Sequence, residues 1–139
     1  METVWGTSVS IDGYGVLLRG PSGAGKSDLA LRVIDRVGGK LIADDRTRLA
    51  REGNALVASP PDEIAGRLEV RGVGIVDVEH VTRAPLMLVV DLVPPEQVQR
   101  MPEPGDWQHA GVSVPLIALA AFEASTPIKL KYALSKVIS

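Results

Sequence analysis

A mixed α/β fold with more strand than helix is what this sequence predicts, and three features predict it. Short apolar runs of strand length recur along the chain. One segment repeats its apolar residues at helical spacing, and a glycine-rich loop joins a run of the first kind to that segment. Composition agrees: 45% hydrophobic against 23% charged residues is the balance of a chain that buries a core. A length of 139 residues suits one domain.

The elements follow in order. Val9-Ser10-Ile11-Asp12 alternates like an exposed strand, Gly13-Tyr14-Gly15 reads as a turn, and Val16-Leu17-Leu18 suits a buried strand. From Lys26 onward, Leu29, Ala30, Val33, Ile34 and Val37 share one helical face, and Gly38-Gly39 is the stop. Leu41-Ile42-Ala43 reads as a second buried strand. Residues 48–51 and 55–58 flank Glu52-Gly53-Asn54, a hairpin turn in which Gly and Asn reach positive φ. Pro60-Pro61 ends that hairpin, and Ile64-Ala65 opens a short turn. Leu68 to Val76 mixes strand formers with Gly72 and Gly74, where backbone can approach a ligand. Leu86-Met87-Leu88-Val89-Val90 is the clearest buried strand. The segment Pro94 to Gly105 holds four prolines and reads as a lid or surface loop. Ser125-Thr126-Pro127 combines an N-cap with a first-turn proline and opens a helix through Lys136. That helix carries Lys129, Lys131 and Lys136 beside apolar Ile128, Leu130, Ala133, Leu134 and Val137. It reads as a packed terminal helix with solvated lysines, or else as a docking surface.

Several function classes are excluded. A net charge of −2 lacks the basic excess of a nucleic-acid-binding module. The absence of cysteine removes disulfide frameworks, thiolate metal sites and thiol catalysis together. His80 and His109 are the only histidines and lie far apart in the chain, which removes a histidine metal cluster. Residues 1–5 lack a basic leader pattern. The longest apolar stretch, Val114 to Phe122, contains Pro115 and is far too short to span a bilayer. The expectation is a cytoplasmic protein with no membrane and no nucleic-acid partner.

Gly20-Pro21-Ser22-Gly23-Ala24-Gly25-Lys26-Ser27 matches the P-loop (Walker A) pattern at every fixed position, after a buried strand and at the start of an amphipathic helix. The spacing has a chemical reason. Glycines let successive backbone N–H groups wrap phosphates, and the helix N-terminus adds partial positive charge. Lys26 then reaches the β- and γ-phosphates, and the Ser27 hydroxyl ligates Mg²⁺. ATP or another nucleoside triphosphate, with Mg²⁺, is the expected ligand.

Phosphoryl transfer also needs an acid for the metal and a base for a hydroxyl acceptor. Three sets of residues compete. Asp91 ends the run Leu86 to Val90, so on pattern alone it is the best Walker B acid, at the strand end where α/β sheets place ligands. Asp44-Asp45 ends the 41–43 strand in the same way. Glu69 lies in the glycine-containing segment. No Asn-Lys-x-Asp motif of guanine-specific switches occurs.

Three blocks in this order, residues 20–27, Ala43-Asp44-Asp45, and Leu68-Glu69-Val70-Arg71-Gly72-Val73-Gly74-Ile75-Val76-Asp77-Val78, resemble the catalytic domain of HPr kinase/phosphorylase. The last block is similar to that family's own signature, and the chain resembles the short alphaproteobacterial forms without the family's N-terminal domain. The resemblance implies a P-loop domain with a strand-rich mixed sheet, similar to phosphoenolpyruvate carboxykinase, forming one kinase domain over residues 1–139 with no N-terminal regulatory domain. It implies a serine kinase that uses ATP and Mg²⁺ to phosphorylate HPr, the phosphocarrier of the phosphotransferase system, and that assembles as a hexamer.

Residue by residue, the resemblance makes Lys26 the P-loop lysine, Ser27 and Glu69 the magnesium ligands, and Asp44 the acid/base that accepts the serine proton. Asp45 becomes a neighbouring site acid and Arg100 the active-site arginine; Asp91 is demoted to a strand-end acid. Two departures stand out. Trp5 occupies the position where the resemblance implies a histidine, and an indole is only a neutral donor. Ala120-Ala121-Phe122-Glu123 stands where a basic stretch associated with dephosphorylation would fall. Weak or absent phosphorylase activity is therefore expected. The alternatives are an ATP-binding sensor with impaired catalysis, which Trp5 favours, and a P-loop kinase of a small molecule.

Overall fold

The computed structural model describes residues 1–103 and 105–138; Pro104, inside the expected 94–105 loop, lies outside them. Strand dominates helix. The strands are β1 (Glu2–Trp5), β2 (Thr7–Ile11), β3 (Tyr14–Arg19), β4 (Lys40–Ala43), β5 (Arg46–Glu52), β6 (Ala55–Ser59), β7 (Arg67–Val70), β8 (Gly74–Asp77), β9 (Ala84–Leu92), β10 (Gly105–His109) and β11 (Val112–Leu119). The helices are α1 (Lys26–Arg36) and α2 (Thr126–Ile138), with short 3-10 turns at Asp62–Ile64 and Pro95–Gln97.

One nine-stranded sheet runs in the order β1-β5-β6-β9-β3-β2-β4, with β11 added beside β9 and β10 beside β11, while β7 and β8 form a separate hairpin. Directions decide where chemistry can gather. β3, β9 and β11 are mutually parallel. β2 runs antiparallel to both β3 and β4, so β4 points the same way as β3. The carboxyl ends of β3, β4, β9 and β11 therefore share one edge of the sheet, the edge where α/β sheets bind ligands.

Side chains alternate across the sheet and feed two cores. On one face Val9, Ile11, Val16, Leu18, Leu88 and Val90 pack against Leu29, Ala30 and Val33 of α1 and Leu130 and Leu134 of α2. On the other, Leu17, Ile42, Leu49, Leu56, Val89 and Val114 form a second cluster. A register shift between Gly15 and Val16 opposite β9 lets Leu86 join the second core while Leu88 joins the first.

Most expected elements form, with instructive differences. The 9–12 segment is not an exposed strand: all of β2 is buried, because its polar face is covered by β5. There the Ser8 and Thr47 hydroxyls share a 2.8 Å hydrogen bond, and Thr47 Oγ1 donates to the Gly6 carbonyl at 3.0 Å. Tyr14 belongs to β3, and the turn shortens to Asp12-Gly13, both at positive φ. The 68–76 segment folds back on itself as the β7–β8 hairpin. Strands β10 and β11 escape the apolar-run reading because β10 is only half-buried and β11 carries Pro115. The terminal helix forms with Leu130 and Leu134 buried and Lys129 paired to Glu123, which is the packed-helix alternative. Among the described residues no helix is long and apolar enough to cross a membrane.

Candidate functional site

The loop between β3 and α1 takes the shape its glycines allow. Gly25 caps α1 at φ 97°, a left-handed conformation that disfavours side chains. A Cβ there would also stand 2.8 Å from both the Ala121 Cβ and the Phe122 ring. The Lys26 ammonium donates to the carbonyls of Gly20 at 2.6 Å and Pro21 at 3.1 Å, curling over the loop it belongs to. Ala24 N–H closes onto the Pro21 carbonyl at 3.0 Å. Ser22 and Gly23 are exposed at the tip. The loop borders a cleft of about 900 Å³ that also contains Asp44, Asp45, Glu69 and the Arg71–Gly72 turn.

Asp44 is the centre of the polar network. It follows β4, which the sheet directs toward the same edge as the loop. Its Oδ1 accepts the Ser27 hydroxyl at 2.6 Å and the Thr7 hydroxyl at 3.1 Å, and its Oδ2 accepts the Glu69 backbone N–H at 3.0 Å. Three segments distant in sequence thus converge on one carboxylate. Asp45 sits at φ 66°, with its N–H donating to Thr7 Oγ1 at 3.1 Å and its carbonyl accepting Gly6 N–H at 2.8 Å. Thr7 therefore ties both acids to β2. It has no sequence signal, being one hydroxyl in a strand, and only the β2–β4 pairing reveals it.

On β7 the alternation buries Leu68 and turns Glu69 outward into the cleft. A smaller cleft of about 200 Å³ shares Asp44, Asp45 and Glu69 and continues past Arg46, Arg67 and Ile75. Among the described residues no three His, Asp or Glu side chains form a metal cluster. The Ser27 hydroxyl and the Glu69 side chain, which line the same cleft, still fit Mg²⁺. That ion takes one or two carboxylates and completes its shell with phosphate and water. Trp5 also lines the cleft and is 74% exposed. Arg100 is exposed in the 94–105 segment and is not among the residues lining either cleft.

The bare pattern's preference for Asp91 is corrected here. Asp91 is the register partner of Arg19, and the guanidinium grips it with two bonds, Nε to Oδ1 at 2.8 Å and Nη2 to Oδ2 at 3.1 Å. The same guanidinium lies 5.5 Å from the Trp107 ring centroid, and Trp107 stacks on His109. Asp91 is thereby tied to Arg19 at the end of β3, just before the 20–27 loop. An Asp91→Ala variant is expected to lose about 1 kcal/mol of stability, since the pair is one-third exposed. Its nucleotide affinity should stay within a few-fold of wild type, read by thermal unfolding and calorimetric titration. A complete loss of nucleotide binding would return Asp91 to the site.

Comparison with known proteins gives a consistent result. A family model described as the HPr serine kinase C-terminal domain matches residues 1–119. The HPr kinase/phosphorylase of Limosilactobacillus reuteri (strain DSM 20016) is 35% identical over 130 residues, which cover 85% of this chain and 40% of that protein. The protein of the same name from Peptoclostridium acidaminophilum is 46% identical over 80 residues, covering 57% of this chain and 26% of that one. This chain thus spans about two-fifths or less of the length of these relatives. Among solved structures, the Hpr(Ser) kinase/phosphatase from Coxiella burnetii superposes with a TM-score of 0.86 at 29% identity, covering 98% of this chain and 95% of that one.

Proposed function

The chain belongs to the HPr serine kinase C-terminal domain family, and from that premise we propose that it transfers the γ-phosphoryl group of ATP to a serine hydroxyl of an HPr-type phosphocarrier. The observation that carries the reading is Asp44, one carboxylate held at once by the phosphate loop through Ser27 and by the family-signature segment through the Glu69 N–H. A carboxylate offers about four acceptor sites, and three here are occupied, by the Ser27 and Thr7 hydroxyls and the Glu69 N–H. Oδ2 keeps a free direction for one more proton donor, and the smaller cleft reaches Asp44 from the side of Arg46 and Arg67. An acceptor serine entering there meets the base without crossing the phosphate loop.

The steps follow from this chain's residues. Backbone N–H groups of 22–27 and the Lys26 ammonium hold the triphosphate, once Lys26 leaves the Gly20 and Pro21 carbonyls for the stronger charge of phosphate. Ser27 and Glu69 would hold Mg²⁺, which supplies neutralisation of the charge developing on the transferred group. Asp44 takes the serine proton as the serine Oγ bonds to the γ-phosphorus and the bond to the β–γ bridging oxygen breaks, leaving ADP and phosphoserine. Asp45, fixed by Thr7, stands at the shared wall of the two clefts as a second acid. The assignment of Arg100 rests on the resemblance alone.

The remaining parts of the proposal are a cytoplasmic enzyme, a single kinase domain over residues 1–139, self-association into a hexamer, and phosphorylase activity that is weak or absent. Trp5 supports the last of these, because it puts a neutral indole in the cleft. The same residue favours the second reading, an ATP-binding sensor with impaired catalysis. One assay separates them: Mg²⁺-ATP with a panel of purified HPr-type carriers, read by intact mass. One added phosphate on a carrier serine is the expected result. ATP binding without transfer to any carrier selects the sensor, and rapid phosphate-driven dephosphorylation of seryl-phosphorylated HPr would overturn the phosphorylase expectation.

A further inference from the structure

Phe122 is the chain's single phenylalanine and is 69% exposed, and we propose that its ring is the platform on which the nucleobase of the bound nucleotide stacks. The proposal rests on the reading of the cleft as a nucleoside triphosphate site and adds which way the nucleotide lies in it.

The ring's position comes from the sheet. The parallel course of β3, β9 and β11 brings residues 120–122, just past the end of β11, to the edge that carries the phosphate loop. The ring lies against the loop itself, close enough that a Cβ on Gly25 would fall 2.8 Å from its tip carbon. In the spatial order β4-β2-β3-β9-β11, Asp44 follows β4 and Phe122 follows β11, so the two stand on opposite sides of the loop after β3. A triphosphate whose γ end faces Asp44 therefore extends its other end toward Phe122. Asp28 of α1, which lines the cleft, is paired with Arg32, the residue that holds the turn carrying Phe122.

The turn that carries the ring is clamped through its backbone while the ring is left open. Arg32 of α1 donates to the carbonyls of Ala121 and Glu123, the residues on either side of Phe122, the second at 3.2 Å. The Thr126 hydroxyl donates to the Ala120 carbonyl at 2.6 Å, and the Thr126 N–H to the Glu123 carbonyl at 3.1 Å. Exposure alone is common for single apolar side chains; what singles out Phe122 is that its ring lines the cleft beside Gly25 and Lys26 of the loop. An aromatic face held rigidly beside a phosphate site suits a planar base, and stacking reads the π-face, which every base has.

The test is calorimetric titration of wild type, Phe122→Ala and Phe122→Trp with three Mg²⁺ complexes: ATP, GTP and inorganic tripolyphosphate. Phe122→Ala should weaken ATP and GTP alike by roughly tenfold, equivalent to about 1.4 kcal/mol. Tripolyphosphate, which has no base, should bind within about twofold of wild type, and Phe122→Trp should restore nucleotide affinity. Equal losses for ATP and tripolyphosphate would make the ring a buttress of the loop and overturn the proposal. Unchanged ATP affinity would do so too, and a change in sedimentation instead would mark the ring as a subunit contact. Failure of wild type to bind either ATP or tripolyphosphate would overturn the underlying phosphate-site reading, an outcome distinct from all of these.

Discussion

Replacing Asp44 by Asn is expected to lower turnover by about 10²–10⁴-fold, the usual worth of a positioned general base, while nucleotide affinity stays within a few-fold. The environment of Asp44 makes this substitution unusually clean. Two of its three partners are the hydroxyls of Ser27 and Thr7, which accept as readily as they donate. An asparagine can turn its oxygen toward the Glu69 N–H and offer its amide hydrogens to those hydroxyls, so the junction of β4, the loop and β7 survives. What it cannot do is take a proton. The measurements are phosphoserine formation by intact mass, nucleotide affinity by calorimetry and the melting temperature. Wild-type turnover in Asp44→Asn would remove the base assignment, and a collapsed melting temperature would show the carboxylate to be structural.

The second large effect is at Lys26. Lys26→Ala should lose both nucleotide affinity, by about 10–100-fold from a missing charge-assisted hydrogen bond, and turnover, by about 10²–10³-fold from a missing clamp on the transferred group. Binding and chemistry fall together because the ammonium contacts the phosphates in both ground and transition states, in contrast to Asp44. Stability should change little. Lys26 is only half-buried, and its partners in the free protein, the carbonyls of Gly20 and Pro21, are accessible enough to bond water instead. Titrations of ATP against both variants, run beside turnover, separate the two roles: equal affinities for Lys26→Ala and wild type would remove the lysine from the phosphate site.

Much of the fold was legible locally. The α1 stripe, the buried run of β9 and the Gly53-Asn54 hairpin each rest on periodicity or turn chemistry that a few neighbouring residues express, although of the two turn residues only Gly53 takes the expected positive φ and Asn54 does not. The misread elements share a different cause. β2 alternates polar and apolar residues as a half-exposed strand does, but Ser8 and Thr47 satisfy each other across the sheet, so its polar side is buried as well. β10 lacks the apolar density to declare itself alone and β11, though apolar, is interrupted by Pro115; they form by pairing with each other and, for β11, with β9.

The sequence by itself determined the glycine-rich turn between β3 and α1, because eight consecutive residues contain the whole pattern: the glycines, the lysine, the hydroxyl and the start of the helix that follows. It left three sets of acids in competition, since Asp91 and Asp44-Asp45 end strand-like runs and Glu69 lies within one, and none of those positions carries a mark of its neighbours. Tertiary structure sets them apart in space. Strand order and direction bring the end of β4 to the loop, where Asp44 meets Ser27, while register sets Asp91 opposite Arg19 and uses up its charge there. Pairing between distant segments is a property of the whole sheet, and no local pattern encodes it.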